Sequence, residues 1–252
     1  MRVAGALMVA AVVLVGPSVA AAQTDESRFM LSLNGAFEPG DEEFSDTGSF
    51  TLYDEAGQVT VGGRSSTGAI LDMGVAARVV GRFTLGVNAH RGASSDEATV
   101  SGQAPHPIFF NRPRSFSVTV PETKRIEQAL HFSAGVLVPL GEKFDVHLYG
   151  GPSQFRFSQQ VATVAAANIT EANGQFTAVN VSPVIVARKK NSWGGHIAAD
   201  FSYQVAQIGN GSFRLGAFVR YAQASSEFEV VSNNVSTKIG AIQYGGGLRV
   251  RF

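Results

Sequence analysis

Along most of this chain, apolar side chains recur at every second residue, and that spacing limits the fold more than any other feature. Successive side chains of a strand point to opposite faces, so period two means a sheet with two chemically different sides. Leu71, Met73, Val75, Ala77 and Val79 alternate with Asp72, Gly74, Ala76 and Arg78. Phe83, Leu85, Val87 and Ala89 alternate with Thr84, Gly86, Asn88 and His90. Leu130, Phe132, Ala134, Val136 and Val138 stand against Glu127, Ala129, His131, Ser133 and Gly135, and Phe144, Val146 and Leu148 against Asp145, His147 and Tyr149. Further on, Trp193, Ile197, Ala199, Phe201, Tyr203 and Val205 oppose Gly194, His196, Ala198, Asp200, Ser202 and Gln204. Phe213, Leu215, Ala217, Val219 and Tyr221 oppose Arg214, Gly216, Phe218 and Arg220. The last stretch sets Ile242, Tyr244, Leu248, Val250 and Phe252 against Gln243, Gly245, Gly247, Arg249 and Arg251. With Phe29, Leu31, Leu33 and Phe37 around Ser32, Asn34 and Glu38, the pattern predicts eight strands.

The connections alternate in length. Gly81-Arg82, Gly141-Glu142-Lys143 and Gly209-Asn210-Gly211 are tight, turn-forming links. The other links, at 40–67, 92–125, 159–192 and 224–240, are long. Short turns on one side and long loops on the other are the layout of outer-membrane barrels, with turns periplasmic and loops extracellular. Two places strain the scheme. A phase slip is expected near Gly150-Gly151-Pro152, where a bulge would move Phe155 and Phe157 to the other parity. The first long link reads as a hairpin, Phe50–Tyr53 and Gln58–Val61 about Asp54, with arms too short to span a membrane. Were it to span, the barrel would have ten strands.

The N-terminus reads as an export signal: Arg2, an apolar run over 3–15, a break at Gly16-Pro17, and small residues ending at Ala20-Ala21-Ala22. Residues 1–22 are therefore expected to be cleaved, leaving 23–252 as one barrel domain with no internal composition shift. Cysteine is absent, which excludes disulfides, thiol catalysis and most structural zinc sites. Lys plus Arg and Asp plus Glu both number 20, so no basic excess points to nucleic acid. No later segment has the 18 or so apolar residues that a membrane helix requires.

Alternation alone does not say which face is inside. The polar face settles it, because it mixes glycine and alanine with a few charges instead of carrying a soluble sheet's Lys, Glu and Thr. The interior of an eight-stranded barrel is just wide enough for side chains, which suits Gly74, Ala76, Gly86, Gly135, Gly216, Gly245 and Gly247. The inward carboxylates Asp72, Glu127, Asp145 and Asp200 are expected to meet Arg78, Arg214, Arg220, Arg249 and Arg251, because buried charges must pair. Trp193, Tyr203, Tyr221 and Tyr244 share the apolar face, where amphipathic rings suit a membrane–water girdle.

On these grounds the chain resembles the small outer-membrane β-barrel family, the group of the OmpA transmembrane domain and OmpX. The resemblance covers nearly all of 23–252 and ends in the alternating Ile242-Gln243-Tyr244-Gly245-Gly246-Gly247-Leu248-Arg249-Val250-Arg251-Phe252. It implies partners in outer-membrane lipids, lipopolysaccharide and the barrel-assembly machinery, the last reading the terminal strand through Phe252.

Several constellations could carry chemistry. His131 and Ser133 share the inward face, and a His–Ser pair beside a carboxylate could activate the hydroxyl. That is similar to lipid A deacylase barrels, but those carry their site on the outer wall, opposite to the parity here. The histidines His90, His106, His131, His147 and His196 lack metal-ligand spacing; His131 and His147, on neighbouring strands, suggest a paired lumen network. Arg188-Lys189-Lys190, in the third long link, could touch lipopolysaccharide phosphates. Asn168-Ile169-Thr170 and Asn234-Val235-Ser236 match a sequon that means little in a chain resembling a bacterial barrel, and Gly245-Gly246-Gly247 reads as packing. The expected protein is an integral outer-membrane barrel without catalytic, cofactor or metal residues. Its long loops would serve surface interaction or envelope integrity. Passage of small apolar compounds through the wall, or a lipid A hydrolase, are the alternatives.

Overall fold

The computed structural model describes residues 27–39, 42–65, 68–229 and 234–252; the export signal and its cleavage site lie outside them. In chain order the strands are β1 (Phe29–Glu38), β2 (Glu42–Leu52), β3 (Glu55–Ser65), β4 (Gly68–Val80), β5 (Phe83–Ala104), β6 (Arg114–Pro139) and β7 (Phe144–Thr163). They continue as β8 (Ile169–Glu171), β9 (Val179–Val181), β10 (Val184–Ile208), β11 (Gly211–Glu229), β12 (Asn234–Ile239) and β13 (Ile242–Arg251). Among the described residues no helix is long and apolar enough to cross a membrane.

Eight of these strands close a ring. β1 pairs with β4, then β5, β6, β7, β10, β11 and β13 follow, every pair antiparallel. β13 returns to β1 in a register running from Met30↔Arg251 to Phe37↔Tyr244. The closure leaves no unpaired sheet edge within the ring, which is what a strand must achieve in lipid. The three short turns fall where the sequence placed them, and Gly81 and Gly209 hold φ of 56° and 58°, a left-handed conformation that glycine adopts at little cost.

The apolar rows face outward. Leu85 is 55% exposed and Leu215 49%, whereas Arg220 and Arg249, on the other face, are fully buried. Aromatic rings mark both borders of this belt. Phe29 packs on Phe252 (5.9 Å between centroids) and Phe144 on Tyr203 (4.7 Å) at the turn end, with Phe37 on Tyr244 (5.8 Å) and Phe132 on Trp193 (6.5 Å) at the other. From Phe29 to Phe37 the chain rises roughly 26 Å along the strand, comparable with the apolar band of a membrane barrel once strand tilt is allowed for.

Three expectations need correction. No slip occurs at Gly150-Gly151-Pro152: Ala134↔Gly150 and His131↔Ser153 belong to one register, so Phe155 and Phe157 stay on the inward face of His147. They are apolar because the surroundings inside the barrel change there, not because the strand turns over. The hairpin of the first link has arms of 11 residues, not short ones, around the turn Tyr53-Asp54. It remains outside the closed ring, because β3 joins only the upper part of β5, residues 58–63 against 98–103. The long links are, finally, largely sheet. β5 and β6 stay paired up to Ala104↔Arg114, β7 and β10 to Thr163↔Val184, and β12 folds back on β11.

These extensions form a cap over the ring with its own apolar core. Val59, Val61, Val100, Phe116, Phe155, Phe157, Val161 and Ile239 are buried in it. Bulges at Asp96/Ala98, Arg78/Val80 and Gln204/Ala206 adjust the tall strands.

Candidate functional site

The lumen is the most structured polar region of the molecule, and period-two alternation delivers every one of its side chains. Lowest, near the turns, Asp145 accepts from both terminal guanidinium nitrogens of Arg251 at 2.7 Å, takes a hydrogen bond from Ser202 at 2.6 Å, and pairs with Arg214. His147 meets the Thr84 hydroxyl at 2.7 Å. Next, Arg249 grips Asp200 with two bonds of 3.1 and 2.7 Å. Above that, Arg220 donates to Asp72 at 2.9 Å and to Gln243 at 2.7 Å, and Asn34 also donates to Asp72 at 2.9 Å. Buried charges are tolerable only when so paired.

Small residues make the room. A Cβ on Gly216 would sit 2.6 Å from Arg249 Nε and from the Phe201 carbonyl, and one on Gly74 would sit 2.2 Å from Asn88 Nδ2.

Where polar lumen meets apolar cap, a hydrogen-bonded chain of three histidines and a serine runs across four neighbouring strands, β5, β6, β7 and β10. His90 Nδ1 lies 2.9 Å from His131 Nε2, His131 Nδ1 lies 2.7 Å from Ser153 Oγ, and Ser153 Oγ lies 2.9 Å from His196 Nδ1. Phe155 packs on His131 edge-on, at 5.8 Å. Glu127 lies 3.7 Å from His90 and binds Arg125.

The expected lumen network therefore exists, with different partners. His131 bonds Ser153, not Ser133, and it does not join His147, which lies in a lower layer. Three of the four carboxylates pair with the expected arginines. Glu127 pairs with Arg125 instead, and Arg78 lies half-buried near the lower end of β4. Ser153 faces inward because the parity of His147 and Tyr149 continues unbroken through Gly150-Gly151-Pro152. Among the described residues no three His, Asp or Glu side chains are placed to hold a metal ion.

A second cluster ties the cap together. Arg114 clasps both oxygens of Glu171, one at 2.9 Å, and reaches the carbonyls of Pro105 at 2.7 Å and Phe176 at 3.0 Å. Tyr53 donates to Glu171 at 2.9 Å, and Glu55 accepts from the Asn111 amide at 2.8 Å. Three connections that are remote in sequence are thus joined by one carboxylate. The Arg114 bonds hold the Glu171 carboxyl below the usual carboxylate range, and the bond to Glu171 raises the Tyr53 phenol. Nothing in the sequence spacing marked this cluster.

Arg188-Lys189-Lys190 is not in a loop. It lies in β10, opposite Gln159, Ser158 and Phe157 of β7, with Lys189 exposed on the outward parity and Arg188 half-buried.

No protein-family model matches the chain, and no curated protein matches it. Among solved structures it is similar to the outer membrane protein OprG from Pseudomonas aeruginosa, at 12% identity over 90% of this chain and 96% of that one, with a TM-score of 0.41. It is also similar to the outer membrane protein AlkL in DMPC lipid bilayers, at 14% identity over 94% of each chain, with a TM-score of 0.35. The structure itself carries the assignment. A ring closed by backbone bonds, apolar and aromatic-bordered outside and charge-paired inside, is built for lipid, and barrels of this construction belong to the bacterial outer membrane. The chain is an integral eight-stranded outer-membrane β-barrel.

Proposed function

We propose that this barrel is a non-enzymatic, non-conducting envelope protein that holds a rigid β-sheet cap at the cell surface for surface interaction or envelope integrity. The observation that carries this reading is the filled interior: stacked ion pairs from Asp145 to Asp72, then the histidine chain, then the apolar core of the cap. Such packing supports a support column more than a pore, and the Arg114–Glu171 clasp supports a fixed cap more than mobile loops. The likeness to the OmpA transmembrane domain and OmpX rests on the strand pattern. Lipopolysaccharide and the assembly machinery are the partners this reading assigns. Cells carrying Arg114→Met with Glu171→Gln should keep the barrel in the outer membrane yet change in surface adhesion or in exclusion of a bulky antibiotic. Both phenotypes unchanged, with the cap opened, would overturn the reading.

A second reading, passage of small apolar compounds into the membrane, has its own support. The interior turns apolar above His131, and the wall parts there: β6 and β7 pair no higher than Arg125↔Gln159, and β10 and β11 no higher than Gly194↔Ala224. Uptake of a small alkane or aromatic into cells with and without the protein separates the two readings.

A further inference from the structure

We infer that the outer wall carries a binding site for the phosphorylated headgroup of an outer-leaflet lipid, on β5, β6, β7 and β10. This rests on the outer-membrane placement above and deepens it by naming the lipid chemistry. The register puts Ala89, Leu130, Gln154 and Trp193 in one outward row, ending in the 64% exposed Trp193 of the upper aromatic border. The next outward row toward the cap is Arg91, Gln128, Arg156 and Asn191, each paired with its neighbour across the strands. The row beyond that contains Ala93, Ile126, Ser158 and Lys189.

Arg91, Arg156 and Lys189 are exposed, and neither row contains a carboxylate. Inside the barrel Asp72, Asp145 and Asp200 are clasped by arginines, whereas no carboxylate stands across the strands from this outward set. Acyl chains covering Trp193 and Leu130 would bring their phosphates beside two guanidinium forks and two amides, in a row that climbs from β5 to β10 with the strand tilt. Arginine binds phosphate through paired donors, and cations just outside the apolar band attract anionic headgroups. A smooth solvated wall would need no such alignment of cations with the edge of the belt.

Trp193 is the sole tryptophan of the chain and borders the site, so its fluorescence reports on occupancy. The full chain, folded in detergent micelles, is titrated with bis-phosphorylated lipid A while Trp193 emission is followed. Arg91→Gln with Arg156→Gln should weaken binding on the order of 20-fold, from about fivefold per surface cation. Arg91→Lys with Arg156→Lys should retain most of it, and Arg112→Gln, in the exposed β5–β6 connection, should change nothing. Dephosphorylated lipid A should bind poorly, and millimolar inorganic phosphate should not displace the lipid. A folded double Gln variant that titrates like the parent overturns the site, as does equal binding of dephosphorylated lipid A. Displacement by inorganic phosphate would identify a small-anion site and overturn the lipid assignment. Should the double variant fail to show heat-modifiable mobility, Arg156→Gln alone decides by the same titration. Correct surface exposure of the cap to added protease, with no lipid binding, would refute this site while leaving the outer-membrane placement intact.

Discussion

Arg220 on β11 donates to Asp72 on β4 at 2.9 Å across the lumen, although two strands of the ring, β13 and β1, stand between theirs. Both side chains are almost wholly buried, so the pair ties together strands three places apart in the ring with little solvent access to screen the charge. Arg220→Met should therefore destabilise the barrel by about 3–5 kcal/mol, because it leaves a buried carboxylate unmatched. Arg220→Met with Asp72→Leu should recover much of that loss. Urea unfolding in lipid vesicles, followed by heat-modifiable mobility, checks both; equal stability of parent and single variant would refute the plugging role.

The outward parity makes an independent demand. Leu85→Arg should destabilise the barrel, since an arginine on the lipid face costs roughly 2–4 kcal/mol at the bilayer midplane and less toward the aromatic border. Gly216→Val should fail for another reason, since its side chain would strike Arg249 and the Phe201 carbonyl. Charge at position 85 with unchanged folding in vesicles would mean the faces are assigned the wrong way round.

The ring was legible because two chemically different solvents, lipid outside and paired charges inside, force strict alternation on strands such as β4 and β13. Legibility failed where that contrast ends. Phe155 and Phe157 share the inward face of His147, but above the membrane the interior is an ordinary apolar core, so the polar-in rule reverses and mimics a slipped strand. The length of β5 and β6 was missed for a related reason, since residues beyond the belt need no lipid-facing row. The Arg114–Glu171 clasp joins segments brought together only by tertiary folding, and no local spacing encodes it.

The clasp should respond to acid. Arg114 lowers the Glu171 carboxyl in the folded cap, so its contribution is complete above the unfolded carboxylate value and is lost as pH falls through the lowered folded value. Residues 164–183 should become more open to proteolysis or hydrogen exchange in that window, while the ring stays protected. Arg114→Met should open the same segment at neutral pH and flatten the response. A cap equally protected at both pH values would argue against the clasp.

Closure between β1 and β13 should govern assembly. The Phe252 carbonyl accepts from Arg28 and Phe29 at 2.9 and 2.8 Å, and its ring packs on Phe29. Phe252→Asp should leave export intact but cause periplasmic loss of the unfolded chain, and Phe252→Tyr should be much milder. Normal outer-membrane amounts of heat-modifiable Phe252→Asp protein would contradict this role for the last strand.

The most direct test is electrical. The intact chain, inserted in planar lipid bilayers, should pass little or no steady current, because Asp145, Asp200 and Asp72 with their arginines fill the bore of an eight-stranded ring. A large, stable conductance from the folded, heat-modifiable protein would contradict the filled barrel and the function built on it.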